Sequence, residues 1–224
     1  MEISTSLEIL FRFPRKLAIQ TGIMQKKKSS SRQPSQKLQQ EISKTRREIA
    51  SAKSKLAKLT RKLPMQEISP DLVVRDWQGN ELTISELFGD KEDLIIVHNM
   101  GRACAYCTMW ADGINGVVKH LENRSAFAVV SPDSPKVQKE FAASRGWEFR
   151  MLSGEGTTFI KEMGFEDPRG GFMPGVSTFH RDGSGKIFRV SKDQFGPGDD
   201  YCVVWHFFDL LKEGSRDWEP AFSY

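Results

Sequence analysis

HNMGRACAYCTMWADG, residues 98–113, is the stretch that decides the fold. It ends an apolar run, DLIIVHNM (93–100), and leads into a helical pattern, TMWADGINGVVKHLEN (108–123). An apolar run of this length without alternation reads as a strand buried on both faces. Two of the chain's three cysteines, Cys104 and Cys107, stand between that strand and that helix. The tetrapeptide alone leaves three readings open: a redox pair, half of a metal site, or two packed thiols. Its position narrows them. Cys104 falls at the exposed N-terminus of the helix, where free N–H groups and the helix dipole favour a thiolate. Cys107, one turn in, is the more buried thiol and is placed to attack a mixed disulfide formed on Cys104. Arg102 either adds positive charge nearby or is a solvated loop residue.

Working outward, DLVVRDWQGNELTISELFG (71–89) reads as strand, turn at Gly79–Asn80, short strand and a helical turn. In 108–123, Met109, Ile114, Val117, Val118 and Leu121 supply the inner face, with Gly113 and Gly116 as weak points. SAFAVVSP (125–132) is a second buried strand. SPKVQKEFAASRG (134–146) is a helix with Ser134 as cap, Pro135 in its first turn and Gly146 past its end. WEFRML (147–152) is extended and TTFIKEMG (157–164) a short helix. GVSTFHRDGSGKIFRVS (175–191) is a hairpin turning at 182–185, and DDYCVVWHFFDLLKEG (199–214) an amphipathic helix. The order is β-α-β-α, a helical connection, then β-β-α. It is similar to the thioredoxin arrangement, an α/β fold with a mixed central sheet flanked by helices.

Residues 64–224 resemble the thioredoxin-like family labelled domain of unknown function 899, related to the alkyl hydroperoxide reductase and thiol-specific antioxidant group. The resemblance rests on RKLP (61–64), CAYCTMWADGINGVVKHL (104–121), AVVSPDSPKVQKEFAASRGWEF (128–149), GVSTFHRDGSGKIFRV (175–190) and DLL (209–211). Likeness to thioredoxins implies a cis-proline facing the dithiol at Pro174, just before the hairpin; the alternative is a trans loop proline. It also implies a proton-moving role for His98, six residues before Cys104, where thioredoxins place a buried acid. Histidine suits that work near neutral pH; the alternative is a core histidine bonded to a backbone carbonyl. Two departures matter. Ala103 and Ala105-Tyr106 replace the Trp and Gly-Pro of thioredoxins, the Tyr being closer to glutaredoxins. Val97 and Gly101 stand where peroxiredoxins carry Pro and Thr or Ser, which disfavours a fast dedicated peroxidase.

Charge divides the chain. Residues 26–62 carry thirteen Lys/Arg and two Glu, whereas residues 63–224 are net −8. The body is mildly acidic and bears a basic arm. Residues 1–36 read as a disordered tail and linker, with Met24 the preferred start. Residues 37–64 form a basic helix, capped by Ser35 and stopped by Pro64. Leu38, Ile42, Thr45, Ile49, Ala52, Leu56, Leu59 and Leu63 give it a heptad seam. Such a helix packs on the body or on its copy in a homodimer. Nucleic acid is the minor reading, since aromatic interleaving and base-reading motifs are absent. Residues 65–224 form the thioredoxin-like domain.

No apolar run reaches the ~18 residues of a membrane helix, and no glycine loop that would cradle a phosphate follows a strand. No haem, nucleotide or flavin cofactor is therefore expected. Three cysteines are too few for a secreted disulfide scaffold, which points to a reducing cytoplasm. Cys202 and His206, four apart, would complete a Cys₃His zinc set with the dithiol; the plainer reading is a packed Cys202, with no metal. The leading function is a cytosolic thiol–disulfide oxidoreductase acting on protein or small-molecule disulfides. The alternatives are a peroxiredoxin-like antioxidant peroxidase and a non-enzymatic thioredoxin-fold binding module in which the Cys₃His set would hold zinc.

Overall fold

The computed structural model describes residues 32–224, with side chains from residue 35 onward. The tail reading of residues 1–25, the start at Met24 and most of the expected linker lie outside the described residues. Two units divide the chain, Met1–Lys53 and Ser54–Tyr224. The boundary falls inside the first helix, α1 (Arg32–Thr60). This helix starts three residues before its expected cap at Ser35. Pro34 sits in the first turn, where no intrahelical partner awaits its missing N–H. Beyond Thr60 the backbone passes through i→i−3 turns at Lys62 and Leu63 and then meets Pro64.

The second unit is built on one mixed eight-stranded sheet in the order β1-β8-β7-β4-β5-β6-β2-β3. Its strands are β1 (Gln66–Ile68), β2 (Val73–Arg75), β3 (Glu81–Thr83), β4 (Asp93–His98), β5 (Ala126–Ser131), β6 (Met151–Ser153), β7 (Gly175–Arg181) and β8 (Ile187–Gln194). β4, β5 and β6 run parallel, and β7 pairs antiparallel with β4. The hairpin β7–β8 turns through Asp182, whose carboxylate accepts the N–H groups of Ser184 and Lys186. β1, unanticipated from the sequence, adds to the outer edge of β8. This is the thioredoxin-like α/β arrangement expected from the element order.

The helices of this unit are α2 (Ile84–Leu87), α3 (Ala105–Asn115), α4 (Val118–Arg124), α5 (Pro135–Arg145), α6 (Phe159–Glu162) and α7 (Val203–Phe208). Three differ from expectation or confirm it for local reasons. The single helix expected over 108–123 begins earlier and breaks into α3 and α4 at Gly116–Val117, where Val117 leaves helical geometry. Val117 is consequently exposed rather than on the inner face. α5 takes Pro135 in its first turn and ends on left-handed Gly146, as the residue types require. The last helix is much shorter than 199–214. The Asp199 carboxylate accepts the N–H groups of Gly196, Tyr201 and Cys202, which holds that segment in a loop. After Phe208 the backbone continues in i→i−3 turns.

Strand alternation divides the core. Leu94 and Ile96 of β4, Ala128 and Val130 of β5 and Leu152 of β6 join α2, Phe159 and Phe165 on one face. Val97, Phe127, Val129 and Met151 join Cys107, Trp110 and Ala111 of α3 on the other. Burial on both faces is the reason the sequences of β4 and β5 are continuously apolar.

Candidate active site

The dithiol lies where β4 ends and α3 begins. Cys104 is the N-cap of α3, with extended backbone geometry, and its sulfur accepts the N–H of Cys107 at 3.1 Å. The thiol of Cys104 is half-buried; Cys107 is only 2 % exposed. The Cys107 sulfur accepts the N–H of Met100 at 3.4 Å. All three cysteines of the chain are free.

These contacts make the two thiols unlike. The Cys107 side chain donates to the Cys104 sulfur, and the N–H groups of Cys107 and Tyr106 add to it. Together they outweigh partial burial and bring the Cys104 thiol down to about 6. The cause is hydrogen bonding at a helix N-terminus rather than the charge of Arg102, whose contribution to the site is its backbone N–H. Cys107 is pushed up, first because its proton is engaged with Cys104 and then by burial. An ionised outer thiol beside a protonated inner thiol is the pattern of a nucleophile with a resolving partner.

The turn that carries Cys104 is held by two side chains that the sequence reading did not single out. Asn99 accepts the N–H of Gly101 at 2.8 Å and donates to the Cys107 carbonyl at 3.4 Å. Asp133, in the loop after β5, accepts the N–H of Arg102 at 2.7 Å. Gly101 has φ +97°, and a Cβ there would lie 2.9 Å from the Asp133 carboxylate, so the close approach requires glycine. Asp133 is itself fixed through its carbonyl, which accepts from Ser153 at 2.6 Å. The signal that could have found it is topological: β4 and β5 are adjacent parallel strands, so the loops at their C-terminal ends meet.

An aromatic wall completes the site. Trp110 packs on Phe195 and on Tyr106, and Tyr106 stacks on Trp205. Phe195 in turn packs on Tyr201. Trp110 donates to Asp199 at 3.4 Å, which ties α3 to the loop before α7.

Residues 24–222 match the family described as a bacterial protein of unknown function, DUF899. The chain belongs to that family. No curated protein matches it. Solved structures similar to it include the bacterioferritin comigratory protein of Xanthomonas campestris, at 17 % identity over 56 % of this chain and 82 % of that one, with a TM-score of 0.47. Another is a peroxiredoxin-like protein from Aquifex aeolicus, at 20 % identity over 59 % of this chain and 76 % of that one, TM-score 0.47. A third is the reduced Prx3 of Vibrio vulnificus in complex with hydrogen peroxide, at 16 % identity over 61 % of this chain and 90 % of that one, TM-score 0.49.

In this DUF899 chain Pro174 borders the small crevice beside Cys107, together with Val97, Trp110 and Phe195. Its peptide bond is trans, which corrects the cis expectation. The backbone on either side explains it. Met173 N–H donates to Phe165, the Pro174 carbonyl accepts from Phe195, and Gly175 enters the ladder between β4 and β8. The segment is already extended strand, and a trans bond continues it.

His98 also borders that crevice through the end of β4, but its imidazole is in phase with Leu94 and Ile96. It stacks on Phe165 with ring centroids 3.8 Å apart, and its Nε2 lies 3.0 Å from the Ser177 hydroxyl. It makes no hydrogen bond to Cys107, and its Nδ1 is buried without a partner. Burial, with Arg189 and Lys192 adding to it, brings this histidine down to about 3, so it is neutral at physiological pH.

The Cys₃His zinc set is not assembled. Among the described residues no group of three or more His, Cys, Asp or Glu is arranged to hold a metal ion. Cys202 is the N-cap of α7, buried with Trp205, while His206 faces out to Asp200 at 3.5 Å.

Proposed function

We propose that this protein is a thiol–disulfide oxidoreductase that uses Cys104 as nucleophile and Cys107 as resolving thiol. The observation that carries the reading is the asymmetry of the pair. A half-exposed thiol lowered to about 6 sits one helical turn from a buried thiol raised by the same hydrogen bond. The Cys104 thiolate attacks one sulfur of a substrate disulfide, and the other sulfur leaves as a thiolate that takes a proton from water. Cys107 then gives up its proton and attacks the Cys104 sulfur, expelling the second substrate thiol. The substrate gains two electrons and two protons, and the protein is left with a Cys104–Cys107 disulfide for a thiol reductant to reopen.

Of the aromatic residues beside the pair, Trp110, Phe195 and Trp205 are buried and Tyr106 is half-open, so the Tyr106 ring is the apolar face offered to a protein or small-molecule disulfide. Three free thiols suit a reducing, cytoplasmic setting. Among the described residues no helix is long and apolar enough to cross a membrane.

The test is the reduction potential of the pair, measured in defined thiol buffers by trapping and weighing free thiols, with Cys104→Ser as control. One two-electron transition, between about −270 and −120 mV, supports the reading. Two thiols that oxidise independently refute it. Stopped-flow mixing with peroxide distinguishes the peroxidase alternative, which requires oxidation of Cys104 to outpace its exchange with disulfides.

A further inference from the structure

We propose that α1 is a dimerisation element, pairing with α1 of a second copy of this chain as a parallel, in-register two-stranded coiled coil. The apolar seam of the helix is solvent-exposed, Leu38 at 57 % and Leu56 at 64 %, with Ile42, Ile49 and Leu59 likewise open. In heptad terms Ile42, Ile49 and Leu56 occupy a; Leu38, Thr45, Ala52 and Leu59 occupy d. β-branched Ile at a, with Leu at the outer d positions, is the preference of a parallel two-stranded coil.

Charge placement selects the partner and its direction. α1 has two acidic residues, Glu41 and Glu48, and both fall at g. The e positions five residues further on are Arg46 and Lys53. In a parallel in-register pair, g of one helix meets the following e of the other. Glu41 then faces Arg46 of the second copy and Glu48 faces Lys53 of the second copy, and the two-fold axis repeats both pairs. In an antiparallel pair g meets g and e meets e, so Arg46 and Lys53 would meet only neutral residues or other bases, and the g flank would offer the two acids a single base, Lys55. Lys55, the remaining g residue of this stretch, meets the neutral Thr60. The surplus bases Lys37, Lys44, Arg47 and Lys58 all fall at c or f, away from the seam. A helix selected only for basic charge has no reason to keep its two acids on one flank at this spacing. Within the single helix Glu48 lies 3.8 Å from Lys44, but both side chains are largely exposed, so that contact competes weakly.

The experiment is sedimentation equilibrium of the full chain. The expected result is a dimer at tens of micromolar whose association weakens as salt is raised. The substitution E41K/E48K turns both charged g–e contacts repulsive and is expected to weaken association at least about tenfold. Exchanging both flanks, E41K/E48K/R46E/K53E, restores attraction in the parallel pair and is expected to recover the dimer. Mixed with the unaltered chain, the fourfold variant segregates if the pairing is parallel and forms mixed dimers if it is antiparallel. A monomer throughout, a dimer indifferent to E41K/E48K, no recovery in the fourfold variant, or mixed dimers would each overturn the proposal. The variants are distant in sequence from the dithiol, and an unchanged thiol titration of Cys104 verifies that the fold persists. A monomer that retains its dithiol chemistry would defeat this inference and leave the oxidoreductase reading intact.

Discussion

Cys107 and His98 are both almost fully buried, and they occupy opposite faces of one sheet. Burial acts on them by the same physics and in opposite directions. It disfavours the charged form: the thiol, already raised by its hydrogen bond to Cys104, is pushed further up, and the imidazole is pushed down. What differs is the neighbour. Cys107 hydrogen-bonds a second thiol that reaches the surface, and the proton it withholds helps ionise that thiol. His98 is enclosed by Phe159, Phe165 and Ser177, all of them buried, so none of these neighbours reaches the surface. A perturbed ionisable group becomes chemistry only where a reactive partner stands between it and solvent.

The largest test of this contrast is removal of the nucleophile. Cys104→Ser is expected to lower disulfide exchange by about a thousandfold or more, while Cys107→Ser still attacks and accumulates a mixed disulfide visible by mass. Equal rates in Cys104→Ser and the unaltered chain would end the assignment. On the other face, His98→Ala is expected to lower stability by about 2–4 kcal/mol through a lost ring and an unpaired Ser177. The pH midpoint of Cys104 alkylation should stay where it was; a shift in that midpoint would tie the imidazole to the dithiol after all. Asp133→Ala removes the acceptor for Arg102 N–H and is expected to cost about 1–3 kcal/mol. Because it loosens the turn that aims Cys104 at the helix N-terminus, the alkylation midpoint should also rise. Asp133→Asn, which can keep one acceptor oxygen in place, should restore most of both effects.

The smallest effect is the profile of the unaltered chain. Cys104 alkylation should rise as pH passes about 6 and then level off, because the thiolate is the reacting form and its folded value lies below that of an ordinary thiol. Cys107→Ala, which deletes the thiol donor, should move this midpoint upward. A midpoint near 8.5 in the unaltered chain, the ordinary cysteine value, would show that the hydrogen bonds to Cys104 do not act as described.

Much of this site could be read along the chain because its parts are local. A C-x-x-C that follows a buried strand and opens a helix places one thiol at a helix end and the other one turn inside, and both positions hold. The hairpin turn at Asp182 and the caps of α5 are equally local, set by residues within a few positions of one another. The face of His98 was also available from alternation in β4, where it shares parity with Leu94 and Ile96 and not with Val97. The Pro174 peptide bond departs from the thioredoxin pattern for a related reason: it follows the ladder it enters, between β4 and β8.

By itself the sequence determined most of the order of elements, the two-faced burial of β4 and β5, the position of the dithiol at a helix N-terminus and the separation of a basic arm from an acidic body. These follow from periodicity, capping chemistry and composition, which act over a few residues at a time. Tertiary structure alone decided that Asp133 grips the turn before Cys104, that Asp199 cuts the last helix short while bonding Trp110, and that His206 faces away from the thiols. Each of these depends on groups brought together by sheet order and loop closure. The net gain from any one such contact is small, so its place is set by the packing of the whole domain and cannot be read from neighbouring residues.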